Sequence, residues 1–287
     1  MRIAYVNGSY IDNALASVHI EDRGYQFSDG IYEYIAFYNG LLLDGDLHFK
    51  RLERSLRELE IGMPVAPAAL RVIARELIER NGREDGGLYI QVTRGVSPRN
   101  HIYPKNVRPS LVMTVCGAKT PKQAEFENGV KIMSCHDNRW ERRDIKSISL
   151  LPNIMAKQEA GRQKMREALF IETDGTVNEG SAANFFMVTK AGVVTTHPAD
   201  NDILPGISRD VLIKLATKAG IAVDERKFDI AEVKAAPEAF ITSTSINVLP
   251  VVKIDDKLVG KGTVGEVTRK LQQLYNAHIM KQTGKRF

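Results

Sequence analysis

Apolar residues recur at Phe49, Leu52, Leu56 and Leu59, three or four apart, and this spacing predicts a helix over 48–60 with one buried face. A second helix carries Leu70, Ile73, Ala74, Leu77 and Ile78 inward and stops at Asn81-Gly82. Residues 88–93, Leu-Tyr-Ile-Gln-Val-Thr, alternate as a half-buried strand does, and 111–115 form another strand. Asn7-Gly8 and Asn39-Gly40 are hairpin turns between apolar runs. After residue 117 the pattern breaks into the polar, proline-bearing Gly117-Ala118-Lys119-Thr120-Pro121-Lys122-Gln123. Such a stretch suits an interdomain linker, so we expect domains over 1–118 and 123–287 joined by 119–122.

Beyond the linker, 130–135, 168–172, 184–188 and 239–242 read as strands. Helices are expected over 152–165, 207–218 and 264–279, with turns at Asp174-Gly175 and Asp255-Asp256. Strands interspersed with helices, without a regular alternation, predict an α+β fold of two domains.

Composition narrows the classes. The 287 residues are 43% hydrophobic and 26% charged, with a net charge of +5 and a pI near 9.1. The basic residues are interleaved with acidic ones, as in Lys50-Arg51-Leu52-Glu53-Arg54, so no clustered stripe points to a nucleic-acid partner. No run approaches the length of a membrane helix, and the start of the chain reads as a strand and turn rather than a signal peptide. Cys116 and Cys135 sit in apolar runs and lack disulfide or zinc spacing. A cytoplasmic location and no metal site are the expectations that follow.

Glycine fingerprints for nucleotides and the Gly-x-Ser-x-Gly elbow are absent. Four segments carry chemistry instead. Lys146 stands between Ile145 and Ile148; on a strand it would share a face with Ile148 and Leu150, where desolvation favours the nucleophilic neutral amine. A solvent-reaching edge lysine fits the same local pattern. Glu179-Gly180-Ser181 follows a hairpin and offers a carboxylate among small residues, or simply a polar turn. Gly206-Ile207-Ser208 opens a helix whose N–H groups suit a phosphate, although Ser208 could equally be a cap. Thr242-Ser243-Thr244-Ser245 adds hydroxyl donors at a strand end.

The order of these segments resembles that of the fold-type IV aminotransferases, most closely the D-amino acid aminotransferases. The residues that carry it are Glu21-Asp22-Arg23-Gly24-Tyr25-Gln26-Phe27, Asp29-Gly30-Ile31-Tyr32-Glu33, His48-Phe49-Lys50-Arg51-Leu52, Gln91-Val92-Thr93-Arg94-Gly95 and Ser97-Pro98-Arg99-Asn100-His101. Asp144-Ile145-Lys146-Ser147, Lys157-Gln158-Glu159-Ala160, Asn178-Glu179-Gly180-Ser181 and Gly206-Ile207-Ser208-Arg209-Asp210 complete the set, which spans nearly the whole chain.

The resemblance implies a smaller N-terminal α/β domain, a larger C-terminal pseudo-barrel domain and pyridoxal 5′-phosphate between them. Lys146 matches the Schiff-base lysine, which also moves the substrate proton. Glu179 matches the carboxylate partner of the pyridine nitrogen. Arg51, Ile207, Ser208, Ser243 and Thr244 match the phosphate contacts, and Ser181 matches a residue near the ring. Ala182 and Ala183 stand where relatives often have further serines. Tyr32, Arg99 and His101 match a carboxylate trap in which the arginine and histidine come from the second subunit of a homodimer. Reversible ping-pong transfer from a small D-amino acid such as D-alanine to a 2-oxo acid such as 2-oxoglutarate is the implied reaction. A branched-chain L-amino acid aminotransferase, an (R)-amine transaminase and an aminodeoxychorismate lyase share the fold and stand as alternatives.

Overall fold

The computed structural model describes residues 2–118 and 120–287, so Lys119 of the expected linker lies outside the described residues. The chain divides into two compact units. One comprises residues 2–118 with Ile145–Ser149 and Ile279–Lys285, and the other Thr120–Asp144 with Leu150–His278 and Arg286–Phe287.

The first unit begins with the hairpin β1 (Ile3–Val6) and β2 (Ser9–Asp12), turning at Asn7-Gly8 with both residues at positive φ. Then come α1 (Arg23–Phe27), β3 (Gly30–Tyr38), β4 (Leu41–Leu42), α2 (Gly45–Glu58), α3 (Pro67–Asn81), β5 (Gly86–Thr93) and β6 (Ser110–Cys116). The sheet runs β2-β1-β6-β5-β3-β4 and is antiparallel throughout. Ile31, Ile35 and Phe37 of β3, with Leu88, Ile90 and Val92 of β5, form one apolar core with Phe49, Leu52 and Leu56 of α2 and with Leu70, Leu77 and Ile78 of α3. The alternate positions Tyr32, Tyr34, Tyr89 and Gln91 point to the other face and are only half-buried, as the two-residue period requires. The period-3.6 helices and this alternating strand are therefore found where the sequence placed them.

The second unit contains α4 (Gln123–Asn128), β7 (Val130–His136), α5 (Leu151–Arg162), β8 (Glu167–Ile171), β9 (Val177–Gly180), β10 (Asn184–Val188), β11 (Val194–Thr196) and α6 (Ile207–Lys218). It continues with β12 (Val223–Glu225), α7 (Ile230–Ala235), β13 (Glu238–Ser243), β14 (Asn247–Ile254), β15 (Lys257–Leu258) and α8 (Glu266–Thr283). Its mixed sheet runs β12-β11-β10-β13-β14-β7-β8-β9, with β15 on β14, and curls into a half-barrel. Val130, Leu169, Phe185, Ile241, Leu249 and Val251 lead its core.

Two expectations change. Residues 143–150 are not a strand: only Ser147 forms a bridge, to Ile31, and α5 starts at Leu151. The edge of β3 supplies the order that a strand would have given, because Tyr32 N–H donates to Lys146 O at 2.9 Å and Ile148 N–H to Gly30 O at 3.1 Å. Residues 177–180, for which a polar turn was one reading, are the buried strand β9. No helix among the described residues is long and apolar enough to cross a membrane.

Candidate active site

Lys146 enters the site on the irregular segment pinned to β3. Its Nζ donates to Tyr32 Oη at 3.2 Å and lies 4.2 Å from the centre of that ring, and its own N–H points to Ser55 Oγ at 3.4 Å. The lysine is half-buried. A primary amine held against a tyrosine hydroxyl on the half-open face of a sheet has both access and orientation, which covalent and proton-transfer chemistry need.

Arg51 is buried on the opposite face, where α2 crosses β3. Its Nε and Nη2 donate to the two oxygens of Glu33 at 2.7 and 2.9 Å, and His48 Nδ1 lies 2.8 Å from Glu33 Oε2. Glu33 is wholly buried between Ile31 and Ile35. Burial opposes its ionisation, but the Arg51 charge, the Arg51 hydrogen bonds and His48 overcome that and hold the carboxyl down at about 2. Burial conversely pushes His48 below its usual range. The motif Tyr32-Glu33 gave Glu33 no role in the sequence; a charge at an inward position of an alternating strand was the signal that it required a buried partner.

Glu179, on β9, is buried and accepts from Arg139 Nη1 at 2.7 Å, Asn184 Nδ2 at 3.0 Å and the Leu204 N–H at 3.1 Å. Burial raises its pKa above the ordinary carboxyl value, and the Arg139 charge pulls the other way. Arg139 is itself fixed by three hydrogen bonds to Asp137, one from its backbone N–H, and stacks 4.3 Å from the Phe170 ring. Neither Arg139 nor Asn184 was singled out in the sequence, since Asp137-Asn138-Arg139 has the composition of an ordinary polar turn.

The remaining cofactor candidates of the second unit lie close to these elements. Ser181 donates to Glu167, which also takes Lys157 Nζ at 2.9 Å. Ile207 and Ser208 open α6, whose N-cap is Gly206, which has no side chain to cap the first N–H groups. A Cβ on Gly206 would stand 1.9 Å from Asn184 Oδ1, which explains the glycine. Ser208 Oγ accepts from Tyr275 Oη at 3.0 Å. Ser243 ends β13, Thr244 begins the following turn, and the buried Thr242, paired with Asn184 across the sheet, has a hydroxyl oxygen with no hydrogen-bond partner among the described residues.

Arg99 and His101 lie together on the loop after β5, both exposed and both against the Phe27 ring, at 4.4 and 5.3 Å. Within the first unit, therefore, Lys146 meets Tyr32, and Arg99 and His101 share the Phe27 ring.

Comparison with known proteins gives a consistent picture. Residues 30–254 match the family model described as amino-transferase class IV. A D-alanine aminotransferase of Staphylococcus haemolyticus is 40% identical over 279 residues, covering 97% of this chain and 98% of the relative. Among solved structures, the branched-chain amino acid aminotransferase of Escherichia coli superposes with a TM-score of 0.90 at 24% identity, covering 100% of this chain and 96% of the other. The T.th. branched-chain amino acid aminotransferase with pyridoxamine 5′-phosphate also reaches 0.90 at 24% identity, covering 99% and 95%. At that identity the structural likeness speaks for the fold, while the family match and the 40% relative speak for the lineage. The chain is an enzyme and belongs to the amino-transferase class IV family.

Proposed function

We propose that the enzyme transfers an amino group reversibly between a small D-amino acid and a 2-oxo acid, using pyridoxal 5′-phosphate held on Lys146. The observation that carries this reading is the Lys146 amine, half-buried and hydrogen-bonded to Tyr32 at 3.2 Å, in a chain 40% identical to a D-alanine aminotransferase.

The donor set fits the cofactor. A lysine amine suits its aldehyde, a buried carboxylate suits its ring nitrogen, and an uncapped helix start beside a partnerless buried hydroxyl suits its phosphate. When bound, pyridoxal 5′-phosphate supplies the electron-accepting ring on which the charge left at the substrate Cα is spread. Lys146 Nζ would hold the cofactor and serve as the acid and base that moves the substrate Cα proton. Tyr32 Oη orients that amine. Glu179 would keep a proton at the cofactor's ring nitrogen, with Arg139 at 2.7 Å favouring its carboxylate form. Arg51, held in place by its bidentate bond to Glu33, and the α6 start would bind the phosphate, Ser243 and Thr244 would add hydroxyls, and Ser181, hydrogen-bonded to Glu167, would sit near the ring.

Arg99 and His101 bind the substrate carboxylate together with Tyr32. Both side chains are exposed in one protomer, next to exposed Ile102 and Tyr103, and a homodimer would supply them to the partner's site. We place the enzyme in the cytoplasm, where its two free cysteines would stay reduced.

The test is a steady-state assay with 2-oxoglutarate as acceptor. D-alanine is expected to give pyruvate and D-glutamate faster than L-leucine is turned over, and Lys146→Ala is expected to lose turnover. A preference for L-leucine would move the enzyme to the branched-chain group, and pyruvate release from aminodeoxychorismate without an acceptor would make it a lyase.

A further inference from the structure

The segment Glu21–Asp29 belongs to no catalytic role above, yet a dense set of hydrogen bonds ties it into the first unit. Asp22 caps α1 by accepting from Gly24 N–H at 2.8 Å and takes the Thr93 hydroxyl at 3.0 Å. Gly24 is needed there, since a Cβ would lie 2.2 Å from Thr93 Cγ2. Arg23 is only 3% exposed; its Nε donates to Asp29 at 2.7 Å and its Nη1 to Asn100 O. Arg94 shares the same Asp29 oxygen at 2.8 Å and lies 3.5 Å from the Tyr103 ring. Asp22 also bridges to Val96. The loop between Val96 and Tyr103 is thus gripped on both sides of Arg99 and His101.

The two side chains themselves are held differently. No hydrogen bond or ion pair to Arg99 is found among the described residues. Its guanidinium instead lies 4.4 Å from the centre of the Phe27 ring, His101 packs on that ring at 5.3 Å, and Arg23 lies at 4.8 Å. A guanidinium on an aromatic face keeps its N–H fork free for a carboxylate while losing torsional freedom.

We infer that Phe27, seated by Arg23 and Asp29, is a positioning residue that presents Arg99 and His101 to the substrate carboxylate, and so sets affinity for amino acids rather than the rate of amino transfer. This rests on the proposed reading of Arg99 and His101 as the carboxylate trap. Phe27 is partly exposed, so its replacement should leave the core of the unit intact.

The experiment uses the cofactor-loaded full chain and measures KM and kcat for D-alanine in the wild type, Phe27→Leu, Phe27→Met, Phe27→Tyr, Arg99→Ala and the Phe27→Leu/Arg99→Ala double variant. Loss of the ring should raise KM about fivefold, as an exposed cation–π contact warrants, with kcat changed less than about twofold. Phe27→Tyr, which keeps the ring, should retain the wild-type KM. In the Arg99→Ala background Phe27→Leu should add less than it does in the wild type, because one of the two groups it positions is gone. Wild-type KM in both Phe27→Leu and Phe27→Met, or an effect on kcat alone, or full additivity with Arg99→Ala, would overturn the inference while leaving the trap in place. Wild-type KM in Arg99→Ala would remove the trap reading itself and the inference with it.

Discussion

At the scale of single residues the buried charges decide most. Glu33 carries a full charge in an apolar layer because Arg51 and His48 meet it there. Glu33→Ala would leave Arg51 buried without its carboxylate, and we expect a loss of about 3–5 kcal/mol, read by chemical denaturation. The pH dependence has a defined sign. A carboxyl held at about 2 in the folded chain, below its unfolded value, contributes stability above the unfolded pKa and loses it as pH falls toward 2. Glu33→Gln should therefore flatten the acid limb of the apoprotein's melting temperature between about pH 5 and pH 2, and an unchanged limb would show that another carboxylate dominates. Lys146, Glu179, Arg51 and Ser208 were visible in the sequence because their order matched a family. Arg139 and Asn184 were not, since each acts through a partner distant along the chain. Asn184 reaches Glu179 and Leu204, and local composition says nothing of such a contact.

At the scale of elements, periodicity served well wherever one face was buried and the other was not. The helices α2, α3 and α6, and the strands β5 and β6, fall within a few residues of their expected limits. It served poorly for β9, whose four residues are all buried and include Asn178 and Glu179, because charge and polarity there mark a site rather than a surface. The segment around Lys146 is the other instructive case. Its order comes from hydrogen bonds to Gly30 and Tyr32, more than a hundred residues away, so no local pattern encodes it. The start of α6 gives a prediction at this scale. Gly206→Ala must displace Asn184, and with it a donor to Glu179, and should weaken pyridoxal 5′-phosphate binding at least tenfold in a cofactor titration. Unchanged affinity would separate Gly206 from the phosphate site.

At the scale of the molecule, the cofactor candidates are distributed over both units, with Lys146, Arg51 and Tyr32 in one and Glu179, Ser181, Ile207, Ser208, Ser243 and Thr244 in the other. The return of Ile145–Ser149 to the first unit, between two stretches of the second, was invisible in the sequence because its cause is tertiary pairing with β3. If Arg99 serves the partner protomer, scattering should give twice the chain mass of 32.0 kDa. Mixing Lys146→Ala with Arg99→Ala subunits should then create a site with the wild-type KM for D-alanine, which Arg99→Ala alone lacks, and no such recovery on mixing would place Arg99 in its own protomer's site or outside any site. The central claim is that Lys146 holds the cofactor. Borohydride reduction of the loaded enzyme, followed by peptide mass mapping, tests it most directly. The account predicts a single phosphopyridoxyl group on Lys146; a label on any other lysine, such as Lys157, or a chain that takes no label, would contradict it.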